Sequence, residues 1–197
     1  MTAWVSNEEK VNLPNEIASI LDIISKRLNK KLTLFGGSGG GFAAMLINSY
    51  MNIDANVVVW NPQTLISNYL PEMVSNYLNI CFPNLKSRGA LYETLDDSAI
   101  THDLIKLYSL DQSKSHNILY LQNTGDKLHM NSHLKPFMQI INFDELNSHT
   151  FAAKNGITCW LKYWGDGHIV PTEQVILNTL TRMTKGKTSS EIAVDLG

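Results

Sequence analysis

Residues 31 to 46, KLTLFGGSGGGFAAML, constrain the fold of this chain more than any other stretch. An apolar run, Leu32, Leu34 and Phe35 with Thr33, stops at a glycine cluster with one serine, Ser38, in its middle, and an Ala/Met/Leu/Ile segment from Phe42 to Ile47 follows. The first piece reads as a buried strand and the second as a helix. A strand that turns into a helix within about five residues crowds the two ends together, so the flanking positions tolerate little side chain and the tip residue is forced into unusual φ/ψ space. Gly36-Gly37-Ser38-Gly39-Gly40 fits G-x-S-x-G, which places a serine oxygen above a sheet with a helix N-terminus beneath it. Two other uses of such a loop are a turn that only permits close packing and a phosphate cradle. Gly39 to Ala44 does fit G-x-G-x-x-A, but its first glycine lies four residues past the strand and no Asp or Glu follows the next strand to hold a ribose. No Lys-Ser/Thr pair follows the glycines, which excludes a P-loop.

The rest of the chain alternates in kind. Ile17, Ile20, Leu21, Ile24 and Leu28 recur at helical spacing after Leu13-Pro14, giving an amphipathic helix that ends near Asn29 and Lys30. The strand at 31 to 35 and a helix at about 40 to 51 come next. Asn56 to Trp60, NVVVW, has the β-branched run of a strand buried on both faces, and Asn61-Pro62 stops it. Leu65 to Leu78 reads as helix broken at Pro71, and Asn79 to Tyr92 as an irregular excursion. A helix over Ile100 to Leu110 precedes a third strand, Asn117 to Gln122, and the polar loop Asn123 to Lys127. His133 to Phe143 reads as helix, Asn142 to Asn155 as an inserted segment, and Gly156 to Trp164 as a fourth strand. Gly165 to His168 is a tight loop before a last helix, from Pro171-Thr172-Glu173 to about Met183. Strands alternating with helices, without a strong hairpin signal, predict an α/β fold with a parallel sheet of about four strands and helices on both faces. At 197 residues this is one domain over 1–185, with 186–197 expected as a flexible tail.

Composition narrows the partners. Sixteen basic against eighteen acidic residues, a net charge of −2, give no electrostatic case for nucleic acid or an anionic membrane. No apolar run approaches the roughly 18–20 residues of a membrane span, and the first residues lack the pattern of a signal peptide. The two cysteines, Cys81 and Cys159, make neither a CxxC pair nor a metal cluster; a reduced, cytoplasmic setting is expected, with one disulfide between them left open.

In a parallel α/β sheet the loops after the strands' carboxyl ends share one edge, so polar residues there converge. That edge receives Ser38 after the first strand, Asp126 after the third and His168 after the fourth, while Asn61-Pro62 after the second takes a wall role. A serine hydroxyl needs a base to take its proton, and the imidazole needs a carboxylate to hold its tautomer. Asp166 rivals Asp126 but stands only two residues before His168 and is better placed to tie down its own loop. His129 and His133 with Asp126 could suggest a metal, yet a His pair at i, i+4 in a polar loop reads as solvated surface, so no metal and no cofactor is expected. Trp60, Trp160 and Trp164 read as core or pocket wall.

Residues 31 to 185 resemble the C-terminal half of an α/β-hydrolase, through LFGGSGGG, LQNTGDKLH and YWGDGHIVP taken in that order. The resemblance implies a truncated version of that fold, with Ser38 as nucleophile, Asp126 as orienting acid, His168 as general base and the Gly39 N–H as one oxyanion donor; Gly37, Asp166 and His129 are supporting candidates beside them. The stretch QNTGDKLHMNSHLKPF is also faintly similar to hydrolase-like proteins of bacterial capsule synthesis and accessory glycoprotein secretion. Together these imply a serine esterase or O-acyltransferase acting on a small-molecule or glycan ester or thioester, in surface polysaccharide or glycoprotein modification. The family has several strands before the serine turn, one of whose loops gives the second oxyanion donor; here about 30 residues precede it, enough for one helix and a short extended piece at Ala3 to Val5. The serine strand should therefore lie at or next to a sheet edge, covered by the N-terminal segment, by a second copy or by a partner chain. The same shortfall supports a second expectation, a catalytically incomplete hydrolase-like module that binds or assembles within a larger complex.

Overall fold

The computed structural model describes residues 13–81, 103–110 and 114–197. Helix α1 (Leu13–Leu28) leads into β1 (Thr33–Gly37), α2 (Gly39–Tyr50) and β2 (Asn56–Trp60). A 3-10 turn at Ile66–Asn68 precedes α3 (Pro71–Cys81), whose first residue is the expected breaking proline, at a position where a missing N–H costs nothing. Then come α4 (Leu104–Leu110), β3 (Ile118–Asn123), a short turn α5 (Lys127–His129), a π-helical turn at Met130–Leu134 and α6 (Lys135–Ile140). The hairpin β4 (Phe143–Asn147) and β5 (Thr150–Ala153), the strand β6 (Ile157–Lys162), α7 (Glu173–Thr184) and α8 (Ser189–Leu196) complete the chain. The excursion beyond residue 81, the start of the Ile100 helix and the extended piece at Ala3 to Val5 lie outside the described residues.

Six strands form one sheet in the order β1-β2-β3-β6-β5-β4. The four strands expected from sequence, β1, β2, β3 and β6, are parallel neighbours, with Phe35 opposite Val58, Val58 opposite Leu119 and Leu119 opposite Thr158. Period-2 alternation then splits the apolar strands between two layers. Val57, Val59, Ile118 and Tyr120 face a core built with Phe42, Met45, Leu46, Leu104, Tyr108 and Phe137, while Val58, Leu119 and Leu121 face Trp160, Met183, Ile192 and Ala193. Helices therefore cover both faces, and each fully buried valine contributes about 1.5–3 kcal/mol.

Three features depart from expectation. The inserted segment between Asp126 and His168 is an antiparallel hairpin that extends the sheet, with Phe143 opposite Ala153 and Phe151 opposite Cys159. Its strands are short and the outer one mostly exposed, so the sequence carries little alternation to announce it. The tail is not a loose end: α8 starts on a capping box in which Thr188 and Glu191 satisfy each other's backbone N–H groups, and it buries Ile192 and Ala193 against the sheet. Eight residues are too short to show a periodic stripe, although the capping pair is present in the sequence. Finally, α1 turns its isoleucines outward, Ile20 at 56% and Ile23 at 51% exposed, and buries Ala18, Asp22 and Ser25 instead. The cause is polar: Asp22 Oδ2 accepts from the Asn52 backbone and side chain at 2.9 and 3.0 Å, and Ser25 Oγ donates to the Lys30 carbonyl at 2.5 Å. Small Ala18 then lets α1 sit close on Met51 and Ala55. No helix among the described residues is long and apolar enough to cross a membrane.

Candidate active site

The serine turn is built by exclusion of side chains. A Cβ on Gly36 would come 2.6 Å from the Gly40 carbonyl carbon, and one on Gly37 would enter the Trp60 indole. The strand and helix ends can approach only because both positions are glycine. Ser38 sits at the tip with φ 54° and ψ −123°, outside the regions ordinary residues occupy. Its N–H donates to the Trp60 carbonyl at 3.0 Å and its carbonyl accepts from Phe42 N–H at 3.1 Å, so the strained conformation is held from both sides. Gly39 opens α2 and is buried; as the first helical residue its N–H has no carbonyl one turn back to bond.

Asp126 and His168 meet. Asp126 is 3% exposed, and its Oδ1 accepts from the His129 backbone N–H at 3.1 Å, which caps α5. Its Oδ2 accepts from His168 Nδ1 at 2.5 Å. Burial works to raise the Asp126 pKa, but the hydrogen bond from His168 and the contacts with His129 outweigh it and hold the carboxyl below its ordinary value. The acid and histidine loops come together because Gly125 leaves room for the Gly165 carbonyl. Asp166 accepts from the Tyr163 hydroxyl at 3.1 Å, within its own loop.

Two side chains given little weight from sequence organise this edge. Asn61, expected only as wall, is fully buried with φ 41°. Its Nδ2 donates to the Ile169 carbonyl at 2.8 Å, next to His168, and its Oδ1 accepts from Asn123 N–H at 2.8 Å and Gln122 Nε2 at 3.1 Å. Asn123 Nδ2 donates to the carbonyls of Gly165 and Gly167, both at 2.8 Å. These amides fix the histidine loop to the ends of β2 and β3.

The His129/His133 pair is buried, not solvated: both rings pack against Tyr69, with His129 beside Gln63 and His133 beside Thr64. His129 Nδ1 stands 2.8 Å from Asp126 Oδ2, off the line of a good hydrogen bond, and its ring stacks on His168 with centroids 4.4 Å apart. Burial lowers the His129 pKa, with Asp126 opposing and His168 adding to the effect. Asp126, His129 and His168 offer ligand atoms within 4.8 Å of one another. The 2.5 and 2.8 Å separations are nevertheless hydrogen-bond distances, shorter than the roughly 3.3 Å between two ligands of a tetrahedral zinc, so a metal would need the cluster to open.

His133 is pushed down to about 3, mainly by burial. Its Nδ1 accepts from Thr64 N–H at 3.3 Å. Between its ordinary value of 6.5 and about 3 the unfolded chain binds this proton and the fold does not, so stability falls as pH is lowered through that window. Urea unfolding is expected to lose on the order of 3 kcal/mol from this group between pH 7 and pH 4. His133→Gln should lose correspondingly less, and equal losses in the two proteins would assign the effect elsewhere.

Ser38 Oγ accepts from Gln63 Nε2 at 2.6 Å and makes no hydrogen bond to His168. Gln63 lies on the loop after β2, and nothing in its sequence neighbourhood singles it out, although every loop on that edge was expected to converge there. A cavity of about 370 Å³, lined by Lys31, Asp54, Asn117, Gly156 and Ser189, lies at the other end of the strands, and no residue of the serine site borders it. Cys159 is a free thiol buried in β6, so no disulfide forms with it.

No protein-family model and no curated protein matches this chain. Among solved structures, a puromycin hydrolase in complex with PGG is similar with a TM-score of 0.57 at 15% identity, over 90% of this chain and 24% of the other. A monoacylglycerol lipase from Paleococcus ferrophilus gives 0.47 at 14% identity, over 88% of this chain and 74% of that one. An S-formylglutathione hydrolase from Agrobacterium tumefaciens gives 0.48 at 15%, over 91% and 57%. The fold is that of the α/β-hydrolases.

Proposed function

We propose that this chain of α/β-hydrolase fold is a serine esterase or O-acyltransferase, with Ser38 as nucleophile, His168 as general base, Asp126 as orienting acid and the Gly39 N–H as an oxyanion donor. The observation that carries the reading is Ser38 at φ 54° on the tip of the strand-to-helix turn, on the same sheet edge as a histidine held at 2.5 Å by a buried carboxylate. The Nδ1–H bond to Asp126 leaves His168 Nε2 as the basic nitrogen. In the proposed reaction the Ser38 hydroxyl proton passes to Nε2 while Oγ bonds to the carbonyl carbon of an ester or thioester, and the carbonyl π pair moves onto oxygen. Collapse of that intermediate breaks the bond to the alkoxide or thiolate, which leaves with the proton from His168. Water then regenerates Ser38 in an esterase, and a sugar hydroxyl does so in a transferase; modification of surface polysaccharide or glycoprotein fits the second acceptor.

The test is reaction with a fluorophosphonate probe, followed by peptide mapping. A single adduct on Ser38, with turnover of p-nitrophenyl acetate, supports the enzyme. No adduct supports the second reading, a hydrolase-like binding or assembly module, which the missing Ser38–His168 hydrogen bond favours. A companion proposal concerns β1, which is an edge strand of the sheet with Phe35 58% exposed against Trp60. This edge is covered by the segment before α1 or by another chain. Deuterium exchange should find the Thr33–Gly37 amides protected, and fast exchange in a monomer would sink the idea.

A further inference from the structure

Resting on the serine-enzyme reading, we infer that Gln63 is a further catalytic residue, one that acts on the nucleophile itself and is set in place by His129. Gln63 is 1% exposed, and its Nε2 lies 2.6 Å from Ser38 Oγ and 3.4 Å from His129 Nε2. Its backbone N–H also donates to the Ser38 carbonyl at 3.3 Å, so both ends of the residue are tied to the serine turn.

Which end of the amide faces Ser38 follows from the neighbours. A lone pair on His129 Nδ1 would be repelled by the Asp126 carboxylate oxygen 2.8 Å away, so the ring proton sits on Nδ1, although the contact is too bent for a good hydrogen bond, and Nε2 keeps the lone pair. A lone pair at Nε2 demands a donor opposite, and that donor is the Gln63 amide NH₂. The second N–H of the same group then points at Ser38 Oγ. Asp126 thus serves two imidazoles: through His168 it prepares the base, and through His129 it fixes the amide that grips the nucleophile.

The chemistry follows from what a hydroxyl can do. Ser38 Oγ has two lone pairs and one proton. A lone pair engaged by Gln63 fixes the oxygen while leaving the proton to be taken by His168, which must swing in because no Ser38–His168 bond exists in this arrangement. As the proton leaves, negative charge grows on Oγ and the Gln63 bond becomes charge-assisted, roughly twice as strong as a neutral one. The donor therefore favours the reacting oxygen over the resting one, which is the condition for speeding a step instead of tightening binding.

The experiment compares the second-order rate of fluorophosphonate labelling at Ser38 in the wild type, Gln63→Met and Gln63→Glu. Methionine keeps the volume and removes the donor; glutamate keeps the shape and replaces the donor with an acceptor. Both should slow labelling by about 10–100-fold, from loss of one hydrogen bond to a charged group. For p-nitrophenyl acetate the loss should appear in kcat with KM little changed. His129→Leu should slow labelling in the same direction, because it frees the amide to turn. Circular dichroism and thermal melts establish that each variant is folded, and Gln63→Met is the variant read if the buried glutamate of Gln63→Glu unfolds the protein. A labelled wild type with Gln63→Met labelled at an equal rate would overturn this inference alone. A wild type in which Ser38 is not labelled would overturn the serine-enzyme reading and this inference with it.

Discussion

Ser38→Ala is expected to abolish fluorophosphonate labelling and to lower turnover of p-nitrophenyl acetate by on the order of 10⁶ in kcat, to the background of solvent hydrolysis. The substitution should leave the fold intact. Alanine at φ 54° carries the same Cβ as serine, so the backbone strain is unchanged, and the side chain gives up a single hydrogen bond, the one from Gln63 at 2.6 Å. Gln63 keeps one amide N–H on His129 and loses the partner of the other, which costs about 1–3 kcal/mol for a donor this deeply buried. A protein that still folds, with a thermal midpoint lowered by about 2–10 °C and turnover gone, is therefore the expected pair of results. Residual labelling in Ser38→Ala would place the nucleophile elsewhere and end the assignment.

Asp126→Asn is expected to cost about 10⁴ in kcat, and more than one histidine is responsible. The Oδ2 position accepts from His168 and faces His129 Nδ1. An amide nitrogen there turns both Nδ1 atoms into acceptors and moves their protons to Nε2. His168 then offers an N–H to Ser38 where a base is required, and His129 offers an N–H to the Gln63 amide. The second consequence is read in stability. The Asp126 carboxyl is held below its ordinary value of 3.8 in the fold, so its contribution is present above the unfolded pKa and is lost as pH falls through the folded one. Urea unfolding should find wild type and Asp126→Asn furthest apart near neutrality and convergent below about pH 4. A gap that persists undiminished at pH 3 would show that the variant suffers from packing alone.

Much of the frame could be read from particular residues. GGSGGG predicts a strand-to-helix turn because only glycine lets those two ends touch, and NVVVW predicts a central strand because it has no polar face to offer water. The post-strand placement of Ser38, Asp126 and His168 brought them to one edge without any contact being visible in the sequence. The hairpin at 143–153, the turned-out face of α1 and the helix at 189–196 were not legible for a common reason. Each is short or polar enough that its periodicity says little, and its position is decided by what it packs against: α8 by the sheet face, α1 by the Asp22 and Ser25 hydrogen bonds.

Local sterics and the period of burial are written in the amino-acid order, and they were enough to set the alternation of parallel strands and helices, the serine turn and the succession of its polar loops. Which groups stand against one another was settled by the folded arrangement. The burial of His129 and His133, the Asn61 and Asn123 ties to the histidine loop, and the Gln63 amide on Ser38 join residues 25 to 108 positions apart. Such contacts leave no trace in local pattern, since a buried amide and an exposed one are the same letters until the fold supplies their partners.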